Sequence, residues 1–330
     1  MEEKYDFSTE IKNNISIYAK YDGEAIMKKY SNTAFWVEQY RTKISSIIFK
    51  KEEILVPEGA IKWEIQADSK CSKIVAYLQD DEKGGYILYI VSPYTIYANP
   101  SAFKYFYGFS NLKTFDFSNF DTSKVVSMRS MFASCKSLST LDLKSFCTKN
   151  VTTMYNMFDS CANLFTLNIS NFNTEKVSNM YGMFQKCSSL NSIDLSNFKT
   201  NSLTKTQVMF QKCNNLTDIT FSSDFKTDKL KTMINMFKEF KSISVIDLSN
   251  FDTSNVTDMT GVFYNCPKLE TIYVSEKWST EKVESSSWMF RYTTKLIGGN
   301  GTKFSSSHND KEYAHIDGGE TNPGYFTLKQ

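Results

Sequence analysis

Proline is scarce in this chain, with five in 330 residues, and glycine numbers only 13. That excludes collagen-like segments and long Pro/Gly-rich linkers. Long apolar runs are missing as well. A stretch such as Tyr86–Val91 falls far short of the roughly 20 residues that a membrane-spanning helix needs, so no membrane insertion is expected. No dense Lys/Arg block occurs, and 38 basic residues against 36 acidic ones leave a net charge of +2. A nucleic-acid partner is therefore not expected. The seven cysteines include no Cys-x-x-Cys spacing, which argues against zinc. No Gly-rich phosphate loop, nucleophile elbow or His-Glu-x-x-His pattern appears, so neither a cofactor nor an active site is expected. Met1-Glu-Glu-Lys is not followed by an apolar stretch and does not read as a signal peptide. On that evidence the chain is either cytosolic or a piece of a longer exported protein.

Aromatic residues, by contrast, are plentiful at 15%. Much of this content is periodic. One column runs Phe106, Phe132, Phe158, Phe184, Phe210, Phe237, Phe263 and Phe290, at intervals of 26 or 27 residues. A second runs Phe120, Phe146, Phe172, Phe198, Phe225 and Phe251, ending in Trp278. Eleven of the 13 methionines fall in two further columns, those of Met128 and Met131. Such a period marks a stacked repeat array in which no single unit can bury its own apolar face.

Within one unit, Met128, Met131, Phe132 and Cys135 recur at i, i+3, i+4 and i+7, the spacing of a two-turn helix face. The alternation of Leu141 and Leu143 then predicts a strand with both side chains turned inward. The expected fold is an α/β solenoid, a leucine-rich-repeat-like coil of eight helix–strand repeats of ~26 residues, with a parallel sheet and a cap at each end. Residues 1–22 read as an extended tail, 23–100 as an N-terminal capping domain, 101–297 as the solenoid and 298–330 as the C-terminal cap. In the N-terminal part a helix is expected over Gly23–Tyr40 and strands over Ile44–Phe49, Ile61–Ile65, Lys73–Leu78 and Tyr86–Ile90. A hairpin turn is expected at Asp80–Gly85.

The skeleton Leu-x-x-Leu-Asp-Leu-Ser-Asn-Phe-Asp-Thr-Ser-x-Val-x-x-Met-x-x-Met-Phe-x-x-Cys resembles the 26-residue repeat of BspA-type bacterial leucine-rich-repeat surface proteins. Similar motifs flank it: Lys43–Phe49 and Tyr97-Ala-Asn-Pro100 on the N-terminal side, and Ile297–Thr302, Ala314–Gly319 and Pro323–Thr327 on the C-terminal side. The segment Tyr5–Lys20 resembles the closing strand of an internalin-type B repeat (the Listeria–Bacteroides repeat). The resemblance implies a right-handed coil in an exported, non-enzymatic surface protein that adheres to a protein or host-matrix macromolecule. The chain is expected to be a monomer. An intracellular scaffold without a surface role is the alternative.

The resemblance carries over no binding residues, so candidates come from the pattern itself. Between the inward residues of the strands sit Asp116, Asp142, Asn168, Asp194, Thr220, Asp247 and Tyr273, which are expected to form an outward, partner-binding row. A solvated face that binds nothing, or a Ca²⁺ ladder on the Asp residues, are the other readings of that row. The column Cys135, Cys161, Cys187, Cys213 and Cys266 reads as buried free thiols valued for apolar volume, since Phe240 takes one of its places; stacked disulfides are the other geometry. His308 and His315 lie near Asp310, Glu312 and Asp317, a combination that can bind metal or act as an acid–base pair, but His308 falls in Ser305–Asp310, which reads as an exposed turn. With no amide at the Phe120 column, the neighbouring Asn119, Asn171, Asn197 and Asn250 are expected to satisfy the turns.

Overall fold

The computed structural model describes residues 24–29 and 38–330. Most of its regular structure is strand, in several largely parallel sheets, and helix is sparse. The first elements are β1 (Ala25–Ile26), a one-turn helix α1 (Glu38–Arg41), β2 (Ile44–Lys51), β3 (Lys62–Glu64), β4 (Val75–Asp80), β5 (Tyr86–Ser92) and β6 (Ile96–Tyr97). The helix expected over Gly23–Tyr40 is therefore corrected. Ala25 and Ile26 pair in parallel with Ile96 and Tyr97 and are buried there, and among the described residues of that span only Glu38–Arg41 is helical. The B-repeat likeness and the tail strand, with Tyr30, Phe35 and Trp36, lie outside the described residues. The four strands expected after them are all present, shifted by a few residues at their ends. The turn between β4 and β5 is organised by Asp81, whose Oδ1 accepts the N–H groups of Lys83 and Gly85.

The sheet of the N-terminal part has the order β3-β4-β5-β2, extended by β7 (Thr114–Asp116). β3, β4 and β5 run antiparallel, whereas β2 is parallel to both β5 and β7. Ile44, Ile47 and Phe49 of β2 are buried, and Ile47 lies in register with Phe115. The N-terminal part thus presents the first repeat strand with a ready parallel neighbour.

After β7 come β8 (Phe120–Asp121), β9 (Thr140–Asp142), β10 (Thr166–Asn168), β11 (Ser192–Leu195), β12 (Asp218–Phe221), β13 (Val245–Asp247), β14 (Thr271–Val274) and β15 (Thr327–Leu328). Their ladder bonding is grouped: β9 pairs with β10, β11 with β12, and β13 with β14 and β15. The backbone of the preceding segment ties units together more evenly, through bridges that link Ser101, Ser127, Thr153, Asn179 and Lys205 in turn, and then Thr232, Asp258 and Ser285.

The Met128–Cys135 segment and its copies are not helices. Met131, Ala133 and Cys135 donate their N–H groups three residues back, to Met128, Ser130 and Phe132. Met128, Ser130, Phe132 and Ser134 donate instead to Thr153, Tyr155, Met157 and Asp159 of the next unit. An α-helix would keep every one of these bonds within the segment. Here alternate N–H groups point along the stack, so the chain runs as successive turns with left-handed residues at Ser130 (φ 53°) and Ser134 (φ 63°). Gly182 and Gly261 share the first of these positions, and a Cβ at Gly182 would lie 2.1 Å from Asn156 Oδ1. Met128, Met131, Phe132 and Cys135 are nonetheless all fully buried. The helical spacing of the apolar residues is real, but it is produced by turns.

Two aromatic columns form the core. From Phe106 to Phe290 each ring stacks on the next, with centroids 5.3–5.9 Å apart. The Phe120 column and Trp278 are buried beside them. Buried threonines join the units. Thr148 Oγ1 donates to Asn173 O and accepts Asn173 N–H, and Thr122, Thr174, Thr227 and Thr253 make the same reciprocal pair. The neighbouring asparagines act as expected: Asn171 Nδ2 donates to Phe146 O, and Asn197 Nδ2 to Phe172 O. One junction is irregular. At Thr206, where most other units place Met, the hydroxyl is buried without a partner, and no bridge joins Lys205 to Thr232 among the described residues.

The C-terminal cap closes around one carboxylate. Asp317 is buried; its Oδ1 accepts Thr302 Oγ1–H and Gly319 N–H, and its Oδ2 accepts Asn300 N–H and Thr302 N–H. With Gly324 N–H, which also donates to Oδ1, these bonds draw together the three sequence motifs of the C-terminus. Burial works against ionisation, but the hydrogen bonds from Thr302, Gly319 and Asn300 outweigh it and hold this carboxyl at about 2. Because the folded-state value lies below that of the unfolded chain, the stabilisation is present above pH ~4 and fades as pH falls toward 2. Asp317→Asn should therefore lower stability at neutral pH by on the order of 2 kcal/mol, with the two melting curves converging between pH ~4 and 2. A constant offset across that range would contradict the assignment. In the core, Phe172→Ala should cost roughly 3–5 kcal/mol in chemical denaturation, and an unchanged midpoint would remove the Phe120 column from the core.

Candidate partner-binding face

In each repeat strand the inward residue sits between two outward ones, because side chains alternate along a strand. Leu141 and Ile193 are buried, while Thr140, Asp142, Ser192 and Asp194 face solvent. The ladder registers then align the outward residues. Asn168 lies opposite Asp142, Thr220 opposite Asp194, and Tyr273 opposite Asp247. Asp116 aligns with Ile48 of β2, which in turn aligns with Tyr89 of β5 and, beyond it, Tyr77 of β4. The seven predicted residues therefore share one face. Within it they fall into bonded pairs rather than one unbroken ladder.

All four carboxylates in the row already have a structural task. Asp116, Asp142, Asp194 and Asp247 each accept, through Oδ1, the N–H of the residue two positions on: Ser118, Lys144, Ser196 and Ser249. Asn168 copies this toward Ser170 and donates Nδ2 to Asp142 Oδ1 at 2.9 Å. Each strand end is thus turned by its own outward residue, while Asp142 Oδ2 also meets Lys144 and Asp247 Oδ2 meets Lys329. The side-chain and backbone hydrogen bonds of Ser196 hold Asp194 below the ordinary carboxylate range. For Asp247 burial pulls the other way, but Ser249 and Lys329 prevail and its carboxyl is also lowered. Asp218 and Thr220, one strand over from Asp194, lie within 3.4 Å of each other. No group of three or more His, Cys, Asp or Glu able to hold a metal is found among the described residues.

Two features of the face escape the repeat pattern because they come from outside it. At one end Tyr77 and Tyr89 stack at 5.0 Å, with Lys50 Nζ 4.8 Å from the Tyr89 ring centroid. At the other, Lys329 folds back after β15, pairs with Asp247 at 3.2 Å and lies 4.6 Å from the Tyr273 ring. Tyr89, set between buried Leu88 and Ile90, is a sequence signal for the first, whereas Tyr77 lies in a run of buried residues. Nothing in the sequence marks the second.

The remaining candidates lie elsewhere. His308 stacks on Tyr313 at 4.1 Å, and His315 Nδ1 lies 2.9 Å from Ile316 O, so each is engaged within the cap. All seven cysteines are free, and the five of the column are buried. They are the buried free thiols expected, and they also donate hydrogen bonds. Cys187 Sγ donates to Phe158 O in the preceding unit, and Cys135, Cys161, Cys213 and Cys266 make the corresponding bond to Phe106, Phe132, Phe184 and Phe237. Thr293 takes the same place in the last unit and donates its hydroxyl to Phe263 O. The column therefore supplies hydrogen bonds as well as volume. Burial pushes the Cys161 thiol up to about 12, which keeps it protonated and able to donate. Cys187→Ser should then stay closer to wild-type stability than Cys187→Ala, which loses the donor and opens a small void at about 1–2 kcal/mol. If the two variants melt in the reverse order, the column is apolar filler.

A leucine-rich repeat protein from Bacteroides ovatus, known from a crystal structure, is similar to 74% of this chain over 70% of its own, at 16% identity and a TM-score of 0.41. No curated protein matches the chain. Residues 101–220, 141–244 and 194–300 each match one family model, and together they span well over half of the 330 residues. The chain belongs to the family described as Mycoplasma protein of unknown function, DUF285.

Proposed function

We propose that this protein is a non-enzymatic binding module that holds a macromolecular partner on its outward strand face. The observation that carries this reading is the register. β9–β10, β11–β12 and β13–β14 each align one outward polar residue with the next, on a scaffold whose other side is a continuous aromatic core. A long rigid row of this kind suits an extended contact better than a small-molecule site. The finer architecture belongs to the same proposal: a right-handed solenoid of eight units over 101–297, between capping regions at 23–100 and 298–330. So does a place at the cell surface, in keeping with the resemblance to BspA-type adhesins. The partner is then a protein or other matrix macromolecule, bound by a monomer.

Asp116→Lys combined with Asp194→Lys tests the face. Both side chains are exposed, and the change removes only their turn bonds to Ser118 and Ser196. In a pull-down against extracellular-matrix proteins, the double variant should lose capture by about tenfold or more while its melting temperature falls only slightly. Equal capture by the variant and the parent chain would move the contact to another face.

A further inference from the structure

The outward positions of the repeat strands are one-sided in charge. From β7 to β14 they hold Asp116, Asp142, Asp194, Asp218 and Asp247 and neither Lys nor Arg, in a chain whose basic and acidic residues nearly balance. The two lysines that reach these carboxylates come from beyond the strand positions: Lys144 to Asp142 at 3.6 Å and Lys329 to Asp247 at 3.2 Å. Asp116, Asp194 and Asp218 have no ion pair among the described residues. Lys329 also shows how this face receives a cation. Its ammonium rests against the Tyr273 ring and Asp247 Oδ2, while its backbone N–H extends the edge of the sheet by donating to Val274 O. Lys50 over Tyr89 repeats the lysine-on-tyrosine contact at the opposite end of the face.

On this basis, and resting on the strand-face reading above, we infer that the partner is an extended protein segment that presents lysine side chains. The central docking point is formed by Asp194 and Asp218. Ser192 lies opposite Asp218 and Asp194 opposite Thr220, so the two carboxylates sit diagonally on adjacent bonded strands. Adjacent strands lie about 4.8 Å apart and two residues span about 6.6 Å along a strand, so the two positions are roughly 8 Å apart and one ammonium can lie between their carboxylates. The surrounding Ser192 and Thr220 hydroxyls can take up its remaining N–H donors. Neither carboxylate is buried, so seating a lysine there requires little desolvation. Binding of this kind is weak per contact, is summed over several lysines and is sensitive to salt.

The test uses the full chain and a fluorescent, otherwise Ser/Thr-rich peptide that carries two lysines, compared with the same peptide acetylated on both lysines. Fluorescence anisotropy at low ionic strength should show the lysine peptide binding, with affinity falling as salt rises. Acetylation, or the double variant Asp194→Asn/Asp218→Asn, should weaken binding by about tenfold. Asparagine keeps the turn bond to Ser196 N–H, so the fold is left alone. Three results each overturn the inference: no binding to the parent chain, equal binding of the acetylated peptide, or an unaffected asparagine variant. If one of these appears while Asp116→Lys/Asp194→Lys still abolishes capture of matrix proteins, the face binds its partner through other chemistry. If that variant is also silent, the strand-face reading falls as well.

Discussion

Everything in this molecule depends on backbone N–H groups that cannot be satisfied within their own repeat. In the turn segment half of them donate to the unit ahead, as Ser130 does to Tyr155 and Phe132 to Met157. A buried amide left without a partner costs on the order of 1–3 kcal/mol, so a single unit standing alone would leave several such groups unpaired. Stacking is therefore a condition of folding, and the side chains follow it. The reciprocal Thr148–Asn173 pair, the Cys187 thiol on Phe158 O and the stacked Phe column all lie along the same axis.

The chain on either side of the repeats supplies partners to their first and last strands. On the N-terminal side β2 is an eight-residue strand with a buried face, parallel to the first repeat strand. On the C-terminal side Trp278 Nε1 donates to Ala314 O, and Asp317 gathers the amides of Asn300, Thr302 and Gly319. Each end replaces a missing neighbour with specific hydrogen bonds, so neither relies on apolar contact alone.

Much of this was legible in the sequence. The Phe and Met columns gave the repeat and its core, and the inward–outward alternation placed all seven row residues on one face. Less legible was the turn segment. Its i, i+3, i+4, i+7 spacing suits a helix, and only the choice of Asn156, Gly182, Asn235 and Gly261 at one position hints at a left-handed backbone. The thiol column was legible as buried free thiols, but its hydrogen bonds were not. Phe240 suggested volume, whereas Thr293, which keeps the hydrogen bond, was the more informative exception. The contacts at the two ends of the face, Lys329 on Asp247 and Lys50 on Tyr89, depend on three-dimensional return of the chain and have no periodic signature.

The irregular unit at Thr206 has a consequence of its own. In a one-dimensional array each interface is held only by its immediate neighbours, so stability is not shared evenly along the length. An unpaired buried hydroxyl, the missing bridge between Lys205 and Thr232 and a 27-residue step between Phe210 and Phe237 all fall at the same junction. Backbone bonds from Val208, Phe210 and Lys212 to the next unit and the Phe210–Phe237 stack still cross it, so the backbone and the aromatic column, rather than the Met column, carry continuity through this point.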